Sequence, residues 1–182
     1  MNQSVKSDMS WSSLIFYNDV WPLVAKIVGG GQLLQMEGRP DQELATMLDM
    51  RAGIDGWQMT KKGGMRGVAA RVQKGDKAWN TFTVRKSRRS GAETEYAKRH
   101  RAIEEKSGEI YPHLTIQAYA LTELGPVISV GVARTADIIS FIVLGLAIVR
   151  ETSNADFYVC PWDKMKESGF KVGVYTKEES KS

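Results

Sequence analysis

The chain has 182 residues, 42% of them apolar, and a formal net charge of +4. That length suits one globular domain, which buries about 70% of the surface its unfolded form exposes and needs no covalent staple. A single cysteine, Cys160, excludes an internal disulfide, so a reduced, cytoplasmic setting is expected; the most apolar run, Ile138 to Val149, has twelve residues against the ~20 that cross a bilayer, so no membrane partner is expected.

Residues 1–13 are polar, lack the basic-then-apolar pattern of a signal peptide, and read as a flexible N-terminal segment. Residues 14–176 read as a single α/β domain and residues 177–182 as a flexible tail. Leu14 to Val28 carries apolar residues at helical spacing, and Pro22 is expected to start or kink that helix. Gly29 to Gly31 breaks it; with no Gly-Lys-Ser/Thr ending, the glycines predict a flexible turn and not a phosphate-cradling loop. "RPDQELATMLDM" starts a second helix, with Pro40 in its first turn and Leu44, Met47 and Leu48 as its apolar stripe.

Three strands are then expected to meander: "GIDGWQM", a turn at Lys61 to Gly64, "MRGVAARVQ", a turn at "KGDK", and "AWNTFTVRK". Thr81, Thr83 and Arg85 alternate with Phe82 and Val84, which predicts one polar and one buried face. "SRRSG" reads as a loop, and "AETEYAKRHRAIEEK" as a charged helix in which Glu95 is spaced to pair with Lys98 or Arg99. "HLTIQAYAL" and "VISVGVAR" read as strands. "TADIISFIVLGLAIV" reads as a buried helix capped by Thr135, and "ADFYVCPW" and "KVGVYT" as the last strands. The expected fold class is α+β or α/β, with a central mixed β-sheet flanked by helices.

Charge is distributed unevenly. Residues 61 to 101 hold 13 Lys or Arg and three acids, a balance of +10 that leaves −6 on the rest of the chain. Such asymmetry predicts one basic face and an anionic partner, nucleic acid above all. The candidate phosphate contacts are Lys61, Lys62, Arg71, Lys74, Lys77, Arg85, Lys86, Arg88, Arg89, Lys98 and Arg99. Trp57 and Trp79 lie among them; core packing is the commoner fate of tryptophan, and base stacking is the alternative. Gln117, beside Thr115 on a strand, reads as a surface residue, with support of a site as the alternative; Cys160 reads as a small buried hydrophobe, with a reactive thiol as the alternative.

Two histidines and one cysteine cannot build a zinc site of the usual Cys/His type, and no Gly-x-Ser-x-Gly or G-x-G-x-x-G motif is present. Carboxylate chemistry beside a basic surface remains. Asp55 sits on a predicted strand near Ile54 and Trp57, where an ionised carboxylate is costly unless paired or metal-bound. Asp49 and Glu43, on or just after the preceding helix, can converge on it, and Mg²⁺ needs only one or two carboxylates plus waters and substrate phosphates. Asp55 and Asp49 are thus candidate Mg²⁺ ligands, with Glu43 as a further catalytic candidate. The alternative is that Asp55 caps the turn or pairs with Arg71 across the hairpin.

The order helix, "GIDGW" strand, turn, "GVAARVQ" strand, "TFTVR" strand, helix, "LTIQAY" strand resembles, over about residues 40–120, the core of the PD-(D/E)XK or restriction-endonuclease-like nuclease superfamily. In that family an Asp on one strand is followed by Glu-x-Lys on the next, and an acid from the preceding helix often joins them. The resemblance implies a restriction-endonuclease-like core, Asp55 at the first position, and Arg71-Val72-Gln73 where Glu-x-Lys belongs, with Gln73 orienting water. Arg71 departs from the pattern: it removes a metal ligand and repels the metal. Three functions are therefore weighed. The first is a nucleic-acid-binding protein with a nuclease-like fold, catalytic as a divergent Mg²⁺-dependent phosphodiesterase acting on DNA. The second is a non-catalytic DNA- or RNA-binding accessory protein. The third is a protein-interaction or inhibitor module using its basic face, with a homo-oligomer or protein partner.

Overall fold

A computed structural model of the chain describes residues 11–35 and 52–177. The helix expected around "RPDQELATMLDM", with Glu43 and Asp49, lies outside the described residues.

The chain is helical from residue 11, widens into a π-helical turn at Phe16–Val20, and continues as α1, Trp21–Ala25. Pro22 falls at the start of α1 and has no N–H to continue the ladder, which agrees with the expected start or kink. Ile15, Phe16, Val20 and Val24 are buried and pack with Val68, Ile116 and Val130 of the sheet below them.

That sheet has six strands in the order β1 (Gln32–Gln35), β2 (Gly56–Met59), β3 (Met65–Lys74), β5 (Leu114–Ala120), β6 (Val127–Arg134) and β9 (Val172–Thr176). The β3–β5 pair is parallel and the others are antiparallel, so the central sheet is mixed. Every residue of β5 is buried, because both faces of the sheet are covered. A second, three-stranded antiparallel sheet has the order β4 (Thr81–Arg88), β8 (Ala155–Pro161), β7 (Ile148–Glu151). Phe82 and Val84 of this sheet, Tyr119 and Ala133 of the first, Ile138, Phe141 and Trp162 form a second core between them. Three further helices lie among the described residues: α2 (Glu95–Ile103), α3 (Thr135–Val143) and α4 (Trp162–Glu167). No helix among the described residues is long and apolar enough to cross a membrane.

The predicted meander stops after two strands. β4 has its expected alternation, with Phe82 and Val84 fully buried, yet it pairs with β8 and not with β3. The loop between β3 and β4 carries the chain out of the first sheet, and β5 takes the place beside β3 after the α2 crossover. β4 also runs on to Arg88, into the segment expected to be a loop.

The apolar run also divides. α3 ends at Val143 because Gly145 adopts φ +74°, a left-handed conformation that breaks the helix. Leu144, Leu146, Ile148 and Val149 are exposed, so only the first half of the expected buried helix is buried. Thr135 makes no cap; its hydroxyl shares a hydrogen bond with that of Thr115 at 2.8 Å. The Gly29–Gly31 turn is present and anchored: Gln58 Nε2, fully buried, donates to the Gly30 carbonyl at 2.6 Å and to that of Val28 at 3.3 Å. At Gly31 a Cβ would lie 2.0 Å from the Met59 carbonyl oxygen, so only glycine lets the turn meet β2. β1 and all of α4 but its first residue occupy stretches for which the sequence predicts no element; Trp162, expected to end a strand, opens α4.

Candidate nucleic-acid interface

The polar face of β4 looks into a cleft of about 630 Å³ between the two sheets. Strand register builds it. Arg85 of β4 lies opposite Phe157 of β8, and Phe157 lies opposite Arg150 of β7, so two guanidiniums flank one ring on the same sheet face. Arg85 sits over the Phe157 ring, 5.5 Å from its centroid. β3 contributes Arg71, Gln73 and Lys74 to the wall, and the loop after it contributes Lys77 and Trp79. Among the described residues five cations line this cleft (Arg71, Lys74, Lys77, Arg85, Arg150) and no carboxylate does. Opposite charge comes from outside the lining: Lys74 pairs with Glu123 at 2.5 Å and Arg71 with Glu95 at 3.2 Å.

Arg71 joins the cleft to a second cluster. Its Nη1 donates to Thr83 Oγ1 at 2.9 Å and its Nη2 to Glu95 Oε1. Thr83 Oγ1 in turn donates to Gln117 Oε1 at 3.3 Å, and Gln117 is buried where the sequence predicts a surface residue, because Tyr119, Thr83 and Arg71 pack around its strand face. Burial alone would raise the Glu95 carboxyl, but Arg71, Arg99, Arg85 and a backbone hydrogen bond from Arg85 outweigh it and hold Glu95 below the usual carboxylate value. Arg99 is buried on α2; burial lowers its pKa against the opposing pull of Glu95 and Asp55, and Arg71 lowers it further. Burial likewise lowers Arg85, with Glu95 opposing and Arg88 and Arg71 adding to it.

Asp55 stands at the head of β2, not within it. Its Oδ2 accepts a hydrogen bond from the Ala70 N–H at 2.6 Å, its N–H donates to the Val68 carbonyl, and its carbonyl accepts from the Tyr17 hydroxyl at 3.0 Å. The recess beside it, about 390 Å³, is shared with Ser12, Ser13, Tyr17, Arg71 and Arg85. A divalent cation there would meet one carboxylate and two guanidiniums on the wall, with Arg99 close behind; among the described residues this donor set suits an anion better than Mg²⁺. No group of three or more His, Cys, Asp or Glu with metal-binding geometry occurs among the described residues. Asp49 and Glu43, the other carboxylates expected here, lie outside them.

The predicted cations are therefore split. Arg71, Lys74, Lys77 and Arg85 share the large cleft, and Gln73 lines it too, away from the Asp55 recess. Arg88, Lys98 and Arg99 line a separate cavity with Glu93 and Glu95. Lys86 points to the other face of β4, over the Tyr158 ring at 5.6 Å, and Arg89 follows in the turn. Lys61 and Lys62 sit at the opposite end of β3 from Lys74, about 30 Å along a strand of ten residues. Trp57 is half-buried, whereas Trp79 is 58% exposed, against the expectation of core packing. Sequence reasoning missed Arg150 and Phe157. Arg150 directly follows a run read as helix, and only recognition of Gly145 as a helix stop would have placed it on a strand.

No family model, characterised protein or solved structure matches the chain.

Proposed function

We propose that the protein binds nucleic acid by its phosphate backbone in the cleft between the two sheets, with binding and not cleavage as its principal activity. The observation that carries this is the lining of five cations, with no carboxylate among the described residues. A restriction-endonuclease-like core belongs to the same proposal: the β2–β3 hairpin, the α2 crossover to a parallel β5 and the place of Asp55 at the head of β2 support it. Binding without turnover is favoured because Arg71 stands where the resemblance requires a carboxylate and is tied to Glu95.

The test is fluorescence anisotropy with labelled DNA across a salt series. Affinity is expected to fall with log salt at a slope of about −0.7 to −0.9 per phosphate contacted. The pair Lys77→Ala/Arg150→Ala reduces that slope by about 1–2, while Lys61→Ala/Lys62→Ala leaves it near the native value. Salt-insensitive binding, or equal loss from both pairs, refutes the assignment to the cleft. Mg²⁺-dependent cleavage of DNA that disappears in Asp55→Ala would establish the phosphodiesterase reading in its place.

A further inference from the structure

The same cleft carries an aromatic surface that phosphate binding alone does not use. Trp79 is 58% exposed on its wall, and two cations lie near its ring: Lys77 Nζ at 4.8 Å and Arg150 Cζ at 5.8 Å from the centroid. The residue after it is pinned. Asn80 has φ +50°, its Oδ1 accepts from Ser129 Oγ at 2.8 Å, and its carbonyl accepts from the Trp162 N–H at 2.9 Å. Trp79 is thus held out at the cleft by an anchored backbone, and does not hang from a loose loop. Phe157, flanked by Arg85 and Arg150, adds a second ring on the floor.

We propose that the cleft takes single-stranded nucleic acid, with an unpaired base stacked on Trp79 while Lys77, Arg150 and Arg85 hold the adjoining phosphates. This rests on the nucleic-acid reading above and narrows it. In a duplex the base faces are stacked on one another and cannot reach a tryptophan on a cleft wall; in a single strand they can. Aromatic rings interleaved with cations suit such a strand, because every base offers a π-face and every linkage a charge. Arg150, the more distant cation, is the group a base would displace from the ring.

The experiment compares native protein, Trp79→Ala and Trp79→Phe against four probes. These are a labelled oligothymidylate of about 16 nucleotides, at the upper end of site sizes for such grooves, the same length of abasic backbone, a duplex, and thymidine triphosphate as competitor. Trp79→Ala is expected to weaken oligothymidylate binding about tenfold or more. Trp79→Phe restores most of that loss, and binding to the abasic strand and the duplex is unchanged by either variant. Equal loss on all probes, no loss on oligothymidylate, or duplex binding as tight as single-strand binding overturns the proposal. Triphosphate binding as tight as oligomer binding assigns the cleft to a free nucleotide and overturns it too. If no probe binds at low salt, the nucleic-acid reading itself fails; if probes bind with a steep salt slope but ignore Trp79, only the single-strand assignment fails.

Discussion

Glu95→Gln tests the charge cluster that joins the cleft to the Asp55 recess. The substitution keeps volume and an acceptor oxygen but removes the charge shared by Arg71, Arg85 and Arg99. Arg99 has no solvent to turn to, at 6% exposure, and its Nε has no hydrogen-bond partner among the described residues. Breaking a fully buried pair costs about 3–5 kcal/mol and an exposed one about 0–1 kcal/mol. The Arg71 and Glu95 side chains are 29% and 27% exposed, so the loss falls between, at about 1–3 kcal/mol. For a chain of this size that lowers Tm by about 2–12 °C, read by thermal melting at pH 7. The pH dependence supplies a second check. The folded-state pKa of Glu95 is depressed, so its stabilisation is present above the unfolded carboxylate value and is lost as pH falls through the folded one. The gap between native and Glu95→Gln proteins is therefore widest near neutrality and closes in acid, below about pH 4. The substitution also removes one negative charge beside the cleft, so, on the nucleic-acid reading proposed above, DNA binding is expected to tighten at low salt. A Tm within about 1 °C of native at neutral pH refutes this account, because Arg99 would then be compensated by something other than Glu95.

Two further outcomes follow from the core. At Gly131 an added Cβ would lie 2.3 Å from the buried Trp162 ring, so Gly131→Ala destabilises by about 1–3 kcal/mol in chemical denaturation. Gly131→Ala/Trp162→Phe loses less than the two single variants together, and strict additivity would show that the ring and the β6 backbone are not in contact. Cys160 is fully buried, and burial pushes its thiol up to about 12. It resists alkylation at pH 8 in native protein and reacts at once in denaturant; native labelling at the unfolded rate would place it at the surface.

Local chemistry in the sequence was sufficient for much of the fold. The alternation Thr81-Phe82-Thr83-Val84-Arg85 already separated a buried face from a polar one, and that polar face became the cleft wall. β5, β6, β8 and β9 were legible as short runs of apolar, β-branched and aromatic residues, and the Lys61–Gly64 turn as a glycine-bearing hairpin. The excess of positive charge in residues 61–101 was a matter of counting. Partner choice was not legible. Whether β4 pairs with β3 or β8 depends on hydrogen bonds between residues about 75 positions apart, for which no local pattern exists. The same long-range register set Arg150 and Phe157 beside Arg85, and tertiary packing of α2 against the sheets gave Arg71 to Glu95, whereas the place of Lys61 and Lys62 at the far end of β3 follows from the local hairpin. Residue types supplied an excess of positive charge; only the pairing of distant strands decided which cations, and which tryptophan, meet at one surface.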